Sequence, residues 1–191
     1  MTDVLALAAG YLIGSIDFAV LAARWKGVDI YSKGSGNPGA SNVSRVIGRR
    51  AGALVLVGDL LKGVAAAAVG EAVGGSELVG LAAGGMAVAG HCFPVWHRFK
   101  GGKGVATTVG VLLWAIPWLG LGLALIWAVI IGVTRVSSFG SLTIVTLAIP
   151  GVWVLAEDPW SAAVMAAISA LVIIRHKDNI KRMLGAGEQM L

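Results

Sequence analysis

Apolar residues dominate seven stretches of the chain, at about 4–23, 51–70, 79–92, 104–116, 118–134, 139–155 and 160–174. Lipid offers a bare backbone no hydrogen bonds, and these runs lack the alternation of a barrel strand. Each therefore predicts a helix. The breaks carry turn signals: Gly74-Gly75-Ser76, the group Trp114, Pro117 and Trp118, Ser137-Ser138, and Asp158-Pro159. The third and fourth runs are short, about 20 Å at 1.5 Å per residue. The first run has Asp3 in place of a basic leader and no clear small-residue cleavage site, so it reads as a retained helix.

Composition places these helices in a bilayer. Hydrophobic residues make up 57% of the 191 positions and charged residues 13%, where soluble domains carry about 25%. Mean hydropathy is +0.85. The expectation is an all-α integral membrane protein in a single domain spanning 1–191, with about seven transmembrane helices. Cys92 is the only cysteine, which excludes an intrachain disulfide; beside His91 it reads as an apolar filler.

Charge sets the orientation. Arg24, Lys26, Lys33, Arg45, Arg49 and Arg50 fall in the first loop, Arg98, Lys100 and Lys103 in the third and Arg135 in the fifth. Arg175, Lys177, Lys181 and Arg182 fall in the tail, whereas Glu71, Glu77, Glu157 and Asp158 occupy the loops between. Basic residues collect on the cytoplasmic side, so the amino terminus is expected outside and the carboxyl terminus inside. Fusing 104–134 into one span would carry Arg135 and the basic tail outside, so the break at Pro117 is retained. Lys62 alone escapes the partition; with Asp59 at i, i+3 it reads as a structural pair beneath a site.

Three cytoplasmic segments hold the candidate chemistry. In "GSGNPGASNVSR" (34–45), glycines let the backbone curl its N–H groups into an anion nest. Ser35, Asn37 and Asn42 add neutral donors, Gly36 adds turning freedom, and Arg45 adds a fork matched to phosphate. A flexible polar loop is the competing reading, and the order of a Walker P-loop is absent. In "GHCFPVWHRFKGGKGVAT" (90–107), Lys100, Gly101, Gly102, Lys103 and Gly104 couple permissive backbone to two cations just before a helix start, which favours an anion. A positive-inside anchor explains the lysines but not the three glycines. Phe93, Trp96 and Phe99 read as interfacial anchors rather than a base-stacking platform, so no nucleic-acid partner is expected.

The third segment is "RHKDNIKR" (175–182), where a helix would place His176 and Asn179 on one face. Histidine there serves proton transfer or hydrogen bonding; a basic tail on anionic headgroups is the alternative. Asp178 would point elsewhere, so no metal ligand set and no cofactor are expected. Together the segments put two anion nests and a His/Asn pair on one membrane face, which suits two phosphorylated ligands, one of them lipid-anchored.

These three segments resemble the motifs of the bacterial acyl-phosphate:glycerol-3-phosphate acyltransferase family, and the likeness extends from Gly14 to the tail. The resemblance implies a multi-pass protein of the bacterial cytoplasmic membrane with its active site on the cytoplasmic side. It implies transfer of a fatty acyl group from acyl phosphate to the 1-hydroxyl of glycerol 3-phosphate, giving lysophosphatidate and phosphate in phospholipid synthesis. Ser35, Arg45, the Lys100–Gly104 loop, His176 and Asn179 occupy the family's functional positions. Asp17 replaces the family's usual proline, Ser41 its usual threonine, and the tail glycine is displaced in Gly185-Ala186-Gly187, although Glu188 still aligns.

Acyl phosphate is already an activated anhydride, and no serine or cysteine here has an evident base, so a covalent acyl-enzyme is unnecessary. Bringing two anions together and orienting a hydroxyl supplies roughly 7–11 kcal/mol. The rival functions are transport of a phosphorylated solute and a purely structural, lipid-binding role in which the nests would be idle. Transporters place polar sites at mid-bilayer on broken helices, whereas here the polar clusters lie at one interface.

Overall fold

The computed structural model describes residues 1–185, and every regular element in that range is a helix. Its elements are α1 (Thr2–Gly14), α2 (Phe18–Trp25), α3 (Ala40–Val46), α4 (Arg49–Gly74) and α5 (Glu77–Cys92), followed by a 3-10 turn (Val95–His97). Then come α6 (Val105–Ala115), α7 (Pro117–Thr134), α8 (Ser137–Leu155), α9 (Trp160–Arg175) and α10 (Lys177–Leu184). Glu188 lies outside the described residues.

Every apolar run coincides with a helix except the first, which is two. The expected helix over 4–23 breaks at Ser15-Ile16-Asp17, because Asp17 caps a new helix by accepting the Val20 N–H at 3.0 Å. Lys62 Nζ donates to the exposed carbonyl of Ile16 at 2.7 Å, so the break is satisfied from α4. That answers why an acid sits inside the first run. The break at Pro117 is real as well: proline opens α7, where its missing N–H is harmless.

Five helical segments among the described residues are long and apolar enough to cross a membrane: 2–25, α4, 77–97, α7 and α8. The bent pair α9 and α10, angled by 59°, makes a sixth if it counts as one span, and α6 is a shorter apolar helix.

Small residues let the helices approach. Gly10 and Gly14 on α1 lie against the backbone of Ala83 and Ala87 on α5, and a Cβ at either glycine would run into it. This four-residue spacing of small residues is a membrane packing device, since lipid removes the hydrophobic drive between helices. The larger core cluster joins α5, α6, α8 and α9 around Val88, Val111, Ile144, Met165 and Val172; a smaller one joins α2, α3 and α4 around Val43 and Val55. Leu54, Leu61, Leu125, Val133 and Trp153 stay exposed, as a lipid-facing surface requires.

Candidate active site

The first loop is braced from within. Asn42, 1% exposed, accepts the Ser35 N–H on Oδ1 at 2.9 Å and donates from Nδ2 to Lys33 O at 3.0 Å. Its amide is committed to the loop backbone. Gly36 turns the chain at φ +70° with its N–H on Lys33 O, and it does not line the cavity described below. Ser35 Oγ accepts the Asn37 N–H at 3.4 Å. The loop then enters α3, which carries Arg45.

The glycine-rich loop is held from three sides. Tyr31 donates its hydroxyl to Lys100 O at 2.8 Å, tying the two loops together. Burial pushes the Tyr31 phenol above its usual value near 10, with Asp17 adding to the rise, so the donor stays protonated. The Gly102 N–H donates to His91 O at 3.0 Å. Arg175 donates from Nη2 to Gly101 O at 2.8 Å and from Nε to Gly102 O at 3.1 Å. The nest expected of these glycines is thus turned over: the carbonyls of Gly101 and Gly102 face an arginine, and the Gly102 N–H is already used. Lys100 is exposed, and Lys100, Gly101 and Gly102 do not line the cavity. Gly104 adopts φ +86° and opens α6.

The third segment closes the site. His176, 2% exposed, sits at the bend between α9 and α10, with Nδ1 2.7 Å from Val172 O. Donation to that carbonyl fixes the ring and leaves Nε2 as the lone-pair nitrogen of the neutral form. Asn179 follows in the first turn of α10 and accepts a hydrogen bond from Lys103 Nζ on Oδ1. Asp178 is exposed, as expected of a residue on another face.

All three segments meet in one cavity of about 530 Å³. Of the residues singled out from sequence, Ser35, Asn37, Asn42, Arg45, Lys103, Gly104, His176 and Asn179 line it. Arg49 and Arg182 also line it, although as sequence they are only members of a charged loop and tail. Among the described residues one carboxylate lines the cavity, Asp59, which is paired with Lys62 at 2.8 Å. Arg45, Arg49, Lys103 and Arg182 bring cationic groups to the same wall, an arrangement suited to anions. Below them the wall turns apolar through Leu56, Leu60, Val109, Ala124, Trp127 and Ile144. Ser41 and Ser137 join α3 to α8 at 3.0 Å across the rim. Sequence offered no cue to the α7 and α8 wall, because its residues are ordinary membrane-helix residues until the fold assembles them. A phosphate-sized charged mouth above an alkyl-lined slot suits a phosphorylated amphiphile beside a small phosphorylated partner.

The family described as "Glycerol-3-phosphate acyltransferase" matches residues 4–186. A protein of that name from Myxococcus xanthus is 43% identical over 185 residues, covering 96% of both chains. One from Thioalkalivibrio sulfidiphilus is 42% identical over 180 residues, covering 93% of this chain and 88% of that one. The chain belongs to the glycerol-3-phosphate acyltransferase family. A crystal structure of PlsY (YgiH), an integral membrane glycerol 3-phosphate acyltransferase, in its glycerol 3-phosphate form superposes with a TM-score of 0.93 at 36% identity, covering 100% of this chain and 96% of that one. Its lysophosphatidic acid form superposes with a TM-score of 0.90. The protein is therefore an all-helical, multi-pass membrane acyltransferase, and membership of this family displaces the transporter reading.

Proposed function

We propose that the protein transfers an acyl group from acyl phosphate to the 1-hydroxyl of glycerol 3-phosphate, at the cytoplasmic face of the bacterial inner membrane. In this reading residues 1–191 form one helical membrane domain with seven spans. The amino terminus is outside and the carboxyl terminus in the cytoplasm, with α6 and α9 counted as spans and α10 in the cytoplasmic tail. The distribution of arginine and lysine supports that orientation.

One observation carries the reading: Lys103 meets Asn179 in a cavity that both share with Arg45, Ser35 and His176. Arg45, Ser35, His176 and Asn179 hold glycerol 3-phosphate, with Asn37 and Asn42 shaping that side of the mouth. Lys103 and the amino-terminal turn of α6 hold the acyl-phosphate headgroup. Gly101, Gly102 and Gly104 act there by shape, while Gly36 sets the turn of the first loop. Lys100 stays on the outer side of its loop, near the headgroups of surrounding lipid. The acyl chain lies in the slot between α4 and α7, among Leu56, Leu60, Val109 and Trp127. No cofactor or metal takes part in this scheme.

The chemistry follows from that placement. The 1-hydroxyl oxygen attacks the acyl carbonyl carbon, forming a C–O bond. The bond from that carbon to the phosphate oxygen then breaks, and the phosphate leaves with the electron pair. The hydroxyl proton passes to an oxygen of the acyl phosphate, because no carboxylate base lies in either glycine-rich segment. The cation of Lys103 offsets charge on the departing phosphate where water is scarce and the interaction is strong.

The experiment uses purified protein in detergent or lipid cubic phase, supplied with acyl phosphate and glycerol 3-phosphate, with released phosphate measured. Turnover that requires both substrates and fails when acyl-CoA replaces acyl phosphate is expected. Equal turnover with acyl-CoA would refute the donor assignment.

A further inference from the structure

A buried polar line runs beneath the glycine-rich loop, and no step of the reaction above uses it. Lys62 Nζ, already bound to Ile16 O, lies 2.8 Å from Asp59 Oδ1. The same oxygen lies 3.4 Å from His91 Nδ1, an electrostatic contact rather than a short hydrogen bond. Asp59, Lys62 and His91 are 2%, 4% and 6% exposed, and Asp59 and His91 line the cavity.

Ionisable groups at this depth are costly, and well-packed apolar residues in their place are often neutral or stabilising. Their arrangement relative to the loop supplies a purpose. His91 O accepts the Gly102 N–H, and the His91 ring lies against the Gly102 α-carbon so closely that any Cβ there would strike Nε2. The same Cβ would also meet Pro38 O of the first loop. Gly102 is therefore packed against both an imidazole that faces Asp59 of α4 and the backbone of the first loop. The next residue is Lys103.

We propose that Asp59 and His91 are a positioning pair for the acyl transfer: they set the seat of Gly101-Gly102 and so aim Lys103 into the site. The pair touches no reacting atom and acts through the loop. The inference rests on the role assigned to Lys103 under the proposed function.

A double-mutant cycle tests it, because a purely structural residue would weaken the enzyme equally in any background. Phosphate release is measured for the full-length wild type, His91→Gln, Lys103→Ala and the double variant, with Tm recorded for each. His91→Gln is expected to lower kcat about tenfold, within the range of coupled neighbours, while the KM for glycerol 3-phosphate stays within about twofold. In the Lys103→Ala background the same change is expected to cost less than about twofold. Equal losses in both backgrounds overturn the pairing. Should His91→Gln fail to fold, Gly102→Ala presses the same ring from the loop side and enters the cycle under the same criterion. Wild-type turnover in Lys103→Ala alone would instead refute the role of Lys103 itself, and the pairing with it. An additive cycle on a crippled Lys103→Ala enzyme refutes the pairing only.

Discussion

Lys103 donates from Nζ to Asn179 Oδ1, joining two segments that lie 76 residues apart in the chain. The lysine leaves the loop ahead of α6 and the asparagine projects from α10, so the contact exists only when the α9–α10 bend and the loop are both in place. Under the proposed function Lys103→Ala removes the cation that offsets charge on the departing phosphate, and kcat is expected to fall about 100- to 1000-fold. Single-turnover phosphate release checks it. A fall confined to KM would show that the lysine binds the ground state only.

Arg45 lines the cavity from α3, and Ser35 lines it from the first loop. An arginine fork on a phosphate is a charge-assisted contact of roughly 1.5–3 kcal/mol. Arg45→Ala is expected to raise the KM for glycerol 3-phosphate by about ten- to a hundredfold, with a smaller effect on acyl phosphate. An unaltered KM for glycerol 3-phosphate would contradict its assignment.

His176 keeps Nδ1 on the Val172 carbonyl. A binding role and a proton-accepting role differ in their pH dependence. If His176 holds substrate and the acyl phosphate takes the proton, His176→Gln lowers turnover but leaves the acidic limb of the pH–rate profile where it was. Loss of that limb in the variant would make His176 the base. The profile is read in kcat under saturating substrates, so that changes in affinity do not enter.

The reading of the chain as sequence reached the fold's main lines, and the reasons are physical. Apolar length and turn residues located α4, α5, α7, α8 and α9 within a few residues, because lipid permits so few backbone solutions. The first helix misled: Asp17 in an apolar run looks like an intruder, and its capping role appears only once Val20 and Lys62 are placed around Ile16. In the site, segments with unusual composition announced themselves. Glycine signalled close approach at Gly102, but not which backbone atoms would point inward. There the expectation of N–H donors failed, since Arg175 claims the carbonyls and His91 the N–H group. Arg49 and Trp127 carry no local signal, and Arg182 only its membership of the third segment; helix packing is what brings them to the cavity.

Tyr31 links the first loop to the glycine-rich loop through Lys100 O. Its folded-state pKa is raised, and the hydrogen bond needs the protonated phenol, so its contribution is full below the unfolded value near 10. It is lost only as pH rises through the higher folded value. Tyr31→Phe is expected to lower turnover a few-fold, as one lost hydrogen bond worth about 1 kcal/mol allows. The ratio of variant to wild-type activity should stay flat from pH 6 to about 9, since the phenol remains protonated there. A ratio that changes across neutral pH would mean the hydroxyl works by titrating rather than by tying the loops.

The slot between α4 and α7 bears on which acyl phosphates fit. Leu60 lies eleven residues along α4 from Arg49, about 16 Å deeper at 1.5 Å per residue, and both line the cavity. Val109, one turn into α6, faces the same space. Enlarging Val109 fills part of the slot below the headgroup without touching a charged contact. Val109→Phe is therefore expected to shift preference toward shorter acyl phosphates, with each excluded methylene worth about 0.8 kcal/mol of binding. Competition between acyl phosphates of two lengths, scored by the lysophosphatidate formed, measures the shift directly. The KM for glycerol 3-phosphate should not move, because the proposed function seats that substrate above the apolar wall. An unchanged product ratio would mean that the chain runs elsewhere, along the outer surface of the helices rather than between them.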